Sequence, residues 1–157
     1  MTDYGYKTRD CGKLGKAFER DLKNAFNQKA IVAKQGKIDF RRDRKCFEVK
    51  TGAGEITLLL KSSIKYVIYI PVVNMAMPIE KQEGFIISRE IFLNGLSDLG
   101  LIRDKISSAG INVKSIQTFW NNKENKPHGT KYYKLIDFLY ENSIMTLDEY
   151  FDCKGKF

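Results

Sequence analysis

An α/β (α+β) fold, with a mixed central β-sheet flanked by helices, is predicted by three observations. Residues 14–28 carry one apolar stripe at helical spacing, made of Leu14, Ala17, Phe18, Leu22, Ala25 and Phe26. Residues 65–73 (KYVIYIPVV) are an apolar run of strand length, apolar enough to be central in a sheet and ending near Pro71. Residues 131–142 and 146–151 read as two closing helices. Helices before and after a sheet give a layered architecture with one core.

The remaining elements fill in between these. Residues 30–34 (AIVAK) read as a short strand, and residues 37–41 and 45–51 as a hairpin with the charged RRDRK segment at its tip. The turn TGAGE follows. Residues 56–62 fit either a strand or a short helix. Residues 84–88 (GFIIS) read as a strand and residues 89–109 as a helix broken near Gly95 or Gly100. Residues 114–120 read as a strand, and NNKENKPHGT as a polar loop. No repeat or low-complexity linker divides the chain, so its 157 residues are expected to form a single domain, 1–157.

Composition narrows the chemistry. With 43% hydrophobic and 29% charged residues, the chain reads as globular rather than disordered. No run of about 18 apolar residues is present, so no membrane span is expected. The polar start MTDYGYKTRDCGK lacks the apolar core of a signal peptide, which points to the cytoplasm. Cys11, Cys46 and Cys153 match neither a disulfide framework nor a zinc site. With one histidine, a multi-His centre is excluded, and any metal must be held by oxygens, which suits Mg²⁺ or Mn²⁺. The charge is uneven. Residues 1–52 hold 14 Lys/Arg against 7 Asp/Glu, whereas residues 53–157 hold 13 against 12. A basic segment of that kind suits a phosphate backbone.

The hairpin lies inside the basic part. Strand side chains alternate between faces. A tight turn centred on Asp43–Arg44 sets Phe40 opposite Phe47 and Asp39 opposite Glu48. Ile38, Phe40, Phe47 and Val49 then share the core face, and Asp39, Glu48 and Lys50 share the other. Two carboxylates directly across a strand pair repel, and folding alone gives no reason for them. A divalent cation between them removes the repulsion. Phosphodiester hydrolysis needs an activated water, a polarised phosphoryl group and charge neutralisation at the leaving oxygen, all of which a carboxylate-held metal supplies. A lysine beside it positions or deprotonates the attacking water. Glu19, flanking the stripe of the first helix, either reaches this site directly or through water, or salt-bridges at the surface.

The series GKAFERDL, KIDF and CFEVKTG resembles the PD-(D/E)XK nuclease superfamily, and its first element is similar to the opening helix of archaeal Holliday-junction resolvases and their restriction-enzyme relatives. The similarity covers about residues 13–56. It implies a restriction-endonuclease-like core. It also implies that Asp39 and Glu48, with the backbone carbonyl of Val49, bind Mg²⁺, that Lys50 assists the attacking water and that Glu19 completes the catalytic set. Ile38 stands where many members have proline, and the gap between Asp39 and Glu48 is short.

Further contacts to nucleic acid are expected from Arg41, Arg42, Arg44 and Lys45 at the hairpin tip, and from Lys126 and His128 in the polar loop; the tip residues fit a solvated turn as well. Trp120, Tyr132 and Tyr133 are either base-stacking or core and rim aromatics. The expected function is a metal-dependent endonuclease acting on nucleic acid, DNA foremost. The rival reading is a nuclease-fold protein, phage- or plasmid-encoded, that works by binding nucleic acid or a nucleic-acid enzyme as an inhibitor or adaptor. That reading adds a protein partner, and both leave room for a homodimer.

Overall fold

The computed structural model describes residues 11–26, 40–51, 57–59, 63–74, 76–106, 110–113, 120–121, 126–127 and 130–157. The first element among the described residues is helix α1 (Cys11–Ala25), which starts three residues earlier than its apolar stripe predicts. Strands β1 (Phe40–Arg42) and β2 (Lys45–Thr51) form the expected hairpin, in the expected register, with Phe40 opposite Phe47. The turn is as tight as a hairpin allows. Asp43 and Arg44, its two central residues, both adopt left-handed backbone (φ 51° and 64°), the twist that lets two antiparallel strands close over two residues.

Strand β3 (Thr57–Leu59) resolves the ambiguity over residues 56–62 in favour of a strand. Strands β4 (Tyr66–Ile70) and β5 (Phe85–Ser88) follow, separated by a 3₁₀ turn at Ile79–Lys81. Helix α2 (Arg89–Asp98) is shorter than expected. Gly100, at φ 67°, ends it, with Leu101 N–H donating to Leu96 C=O (2.9 Å) and Gly100 N–H to Ser97 C=O (3.0 Å). These two bonds satisfy the last carbonyls of the helix and turn the chain away. The expectation of helix to residue 109 is therefore corrected: Ile102–Ile106 is strand β6, paired antiparallel with β7 (Gly110–Val113). The two-residue strands β8 (Trp120–Asn121) and β9 (Lys126–Pro127) pair with each other, β8 joining the end of the expected strand to the start of the expected polar loop and β9 lying within that loop. Helix α3 (Thr130–Asn142), strand β10 (Met145–Thr146) and helix α4 (Leu147–Asp152) complete the order. Thr146 caps α4 in a reciprocal box with Glu149. The expected strand at residues 30–34 lies outside the described residues, and so does that at 114–120 except for Trp120.

The main sheet runs β1-β2-β4-β5-β10 and is mixed, with β2 and β4 parallel and the other neighbours antiparallel; β3-β7-β6 form a second sheet. Helices cover both faces of the main sheet. On one face Phe18 and Leu22 of α1 pack with Phe40, Phe47, Val49, Ile68 and Ile86 of the sheet and with Leu147 and Tyr150 of the α4 end. On the other, Phe92 and Leu96 of α2 and Leu135 and Leu139 of α3 pack on Val67, Tyr69, Phe85 and Ile87. The alternation of β4 accounts for both layers: Val67 and Tyr69 go one way, Ile68 and Ile70 the other. Among the described residues no helix is long and apolar enough to cross a membrane. Cys46 and Cys153 are free thiols.

Candidate functional site: a buried carboxylate between two cations

Strand β2 separates the two faces residue by residue. Phe47 and Val49 enter the α1 layer. Glu48 and Lys50 therefore point to the α2/α3 side, where their in-register neighbours on β4 are Val67 and Tyr69. That face is covered. Glu48 is only 7% exposed, an unusual state for a carboxylate unless it is paired. Its partner is Arg89, 6% exposed, whose Nε donates to Glu48 Oε1 at 2.8 Å. Lys50 Nζ stands 3.9 Å from the other carboxylate oxygen, Oε2, close enough for charge attraction and too far for a hydrogen bond.

Arg89 reaches Glu48 because of where the chain turns. It is the first residue of α2, directly after β5, and its backbone N–H donates to Lys65 C=O (2.8 Å) just before β4. From there the guanidinium spans β4 to meet β2, 41 residues away in sequence. Arg89 is the residue that sequence reasoning missed. A signal was present: an arginine opening a helix sits at the positive end of the helix dipole, where a cation is disfavoured unless an acid holds it. The pairing is incomplete. Among the described residues, the buried Arg89 Nη2 has no hydrogen-bond partner, and the same is true of the Tyr69 hydroxyl in the row beside Lys50. A buried donor left unmade costs about 1–3 kcal/mol, and more when charged. Burial, and then the charge of Tyr132, holds the Tyr69 phenol far above its ordinary range, so it is a neutral group at this site.

The other expected site residues are placed as follows. Glu19 is half-buried on α1. Phe18 and Leu22 of that helix pack on the face opposite Glu48 and Lys50. Asp39 and His128 lie outside the described residues, and Lys126 is in β9, opposite Asn121. Among the described residues no group of three or more His, Cys, Asp or Glu is close enough to share a metal ion. Glu48 is the carboxylate on hand, with Val49 following it in the strand.

The hairpin tip divides into two pairs. Arg41 and Arg44 are exposed. Arg42 is engaged within the protein: its Nε and Nη2 both donate to Lys154 C=O (3.2 and 3.0 Å), and its guanidinium lies 5.1 Å from the Phe26 ring centre. Lys45 donates to the Phe157 carbonyl oxygen and sits 4.5 Å over the Phe157 ring. These two cations fasten the segment after α4 to the hairpin. Of the aromatic candidates, Tyr132 is buried and Tyr133 exposed.

A cavity of about 440 Å³ lies at the far edge of the sheet, lined by Glu80, Lys81, Gln82, Glu83, Gly84, Tyr140, Thr146 and Asp148. Three carboxylates against one lysine make it a poor receptor for a polyanion. It is not the site of Glu48. Comparison of the chain with protein-family models, curated proteins and solved structures finds no match.

Proposed function

We propose that the protein is a Mg²⁺- or Mn²⁺-dependent nuclease of restriction-endonuclease-like architecture that hydrolyses phosphodiester bonds in nucleic acid, DNA foremost. The observation that carries the reading is the placement of Glu48 and Lys50 side by side on one face of β2, with one carboxylate oxygen of Glu48 turned to Lys50 and not hydrogen-bonded by it. Glu48 offers Oε2, since Oε1 is taken by Arg89. One carboxylate is too few, and the proposal draws the second from Asp39 and a further oxygen from the Val49 carbonyl. Glu19, half-buried on α1, keeps in the proposal the role that the resemblance implies, completing the catalytic set. When bound, the cation polarises the phosphoryl group and acidifies its water. Lys50 orients that water and neutralises charge as it develops on the phosphoryl oxygens. The burial of Glu48 excludes bulk water, which strengthens both effects.

A cleavage assay on a mixed DNA and RNA panel with Mg²⁺ or Mn²⁺ tests this. The expected result is metal-dependent cleavage that falls about 10²-fold or more in Lys50→Ala with the fold intact. Glu48→Ala is expected to be inactive as well, with its folding checked because it strands Arg89. No cleavage by pure parent protein, or cleavage unchanged in both variants, ends the reading.

A second reading is favoured by one observation: Glu48 already has a buried partner in Arg89, as a structural carboxylate would. In that case the protein acts by binding, as an inhibitor or adaptor for nucleic acid or a nucleic-acid enzyme. Binding that survives Asp39→Ala and Lys50→Ala and is lost on substituting Arg41 and Arg44 identifies it.

A further inference from the structure

We infer that the outer face of α3, together with the acidic cavity at its end, is a docking surface for another protein, which presents an amphipathic helical segment with Arg or Lys beside an apolar stripe. Helix α3 buries Tyr132, Leu135 and Leu139, so folding calls for a polar face on its solvent side. That side instead carries Tyr133 and Tyr140, seven residues apart and hence on one face, each 55% exposed. Ile144, 42% exposed, follows just beyond the helix end. Exposed apolar residues scattered singly are ordinary, whereas three in succession along one element mark a contact surface. Tyrosine, with an apolar ring and a polar tip, is enriched in such surfaces.

Charge identifies the occupant. Tyr140 also lines the cavity of about 440 Å³, where Glu80, Glu83 and Asp148 outnumber Lys81. Burial first, then the charge of Glu83, raises the Tyr140 phenol above its ordinary 10.0, so carboxylate and ring stand side by side. Asp137, four residues after Tyr133, adds an exposed carboxylate to the same side of the helix, and Glu141 and Lys134 share its flank. In a chain of net charge +8 this is a local reversal of sign. It repels phosphate backbones and anionic lipid surfaces and attracts Arg and Lys. A guanidinium meets a carboxylate through two hydrogen bonds and stacks on a tyrosine ring. A helix laid along α3 sets its apolar side chains on Tyr133, Tyr140 and Ile144 and its cations over the cavity. Glu48 and Lys50 take no part, so the surface stands whether or not the protein cleaves nucleic acid.

The probes are two labelled amphipathic helical peptides with the same leucine stripe, one flanked by arginine and the other by glutamate. Each is titrated against the full chain by fluorescence anisotropy, and the contact is mapped by amide chemical-shift changes. The arginine peptide is expected to bind, more weakly as salt rises, with shifts centred on residues 80–84 and 133–148. The glutamate peptide is expected not to bind. Tyr140→Ala, and separately Glu80→Lys with Glu83→Lys, are each expected to weaken the arginine peptide about tenfold or more. Glu90→Lys, at an exposed acid of α2 outside this face, is expected to stay within about twofold of the parent. Thermal melts check that the variants fold; should Tyr140→Ala fail, the charge reversal decides alone. No binding of the arginine peptide, equal binding of both peptides, shifts centred elsewhere, or affinity unchanged in the folded variants overturns the inference. Self-association of the parent in sedimentation that is lost in Tyr140→Ala overturns it too, since the occupant is then a second copy of the chain.

Discussion

Arg89 Nε lies 2.8 Å from Glu48 Oε1, and both side chains are nine-tenths buried between the main sheet and α2. The contact joins the first residue of a helix to the middle of a strand two places away in the sheet. It keeps a charge pair beside Val67, the in-register neighbour of Glu48, on the face of the sheet that carries the apolar α2/α3 layer. Removing one partner leaves the other charge buried without compensation.

Arg89→Met is accordingly expected to cost about 3–5 kcal/mol of stability, whereas Arg89→Met with Glu48→Leu recovers most of that loss. Urea unfolding of the two single variants, the double variant and the parent measures the coupling. Simple additivity of the single costs contradicts an energetically linked pair.

Gly95, in the middle of α2, faces Phe138 of α3. A Cβ at that position falls 2.0 Å from Phe138 Cζ, far inside contact distance. The approach of α2 to α3 thus depends on a missing side chain. Gly95→Ala gains about 1 kcal/mol of helix propensity and loses more by overpacking, for a net destabilisation of about 2 kcal/mol. A lower midpoint in thermal or urea unfolding is the expected reading, and a raised one shows that Phe138 moves aside freely.

The four cations of the hairpin tip are expected to part company on mutation. Arg42→Ala loses two hydrogen bonds to Lys154 C=O and the stacking on Phe26, and costs about 1–3 kcal/mol of stability. Arg41→Gln and Arg44→Gln, at exposed positions, are expected within about 0.5 kcal/mol of the parent. Those two substitutions are instead expected to weaken nucleic-acid binding and to flatten its salt dependence by about one unit each. Fluorescence anisotropy across a salt series, beside thermal melts of the same variants, checks both halves. An unchanged salt slope removes the tip from the interface.

Alkali is expected to unfold the protein through its buried tyrosines. Burial first, then the charges of Glu83, Tyr133 and Tyr140, push the Tyr132 phenol from 10.0 up to about 12. Burial likewise raises Tyr69 and Tyr150. A raised phenol in the folded state means that the unfolded chain releases its proton at lower pH. The folded state then binds more protons above pH 10, so stability falls as pH rises. The contribution of Tyr132 is fully present below about pH 10 and is lost as pH climbs to about 12. Melting temperature against pH should decline over that window, less steeply in Tyr132→Phe. A flat profile between those limits contradicts the burial of these hydroxyls.

Much of the hairpin was legible in the order of residues. The spacing of Phe40, Phe47 and Val49 against Glu48 and Lys50 decides sidedness, because a strand has a period of two. A turn over Asp43–Arg44 decides register, because two-residue hairpins leave no slack. Leu22 and Phe18 mark the buried stripe of α1 for the same local reason, at a period of 3.6. Local patterning of this kind states which residues face together. It does not state what covers them. That the Glu48 face lies under α2 and α3 follows from the long-range pairing of β2 with β4 and β4 with β5. Only that pairing brings Arg89 across to Glu48, and only the left-handed Gly100 sends residues 102–106 into a strand where helical periodicity seemed to continue. A lone sequence carries the chemistry of each side chain and its nearest rhythm. The tertiary structure decided which charges meet away from water, because that depends on strand pairing and helix packing between residues far apart in sequence.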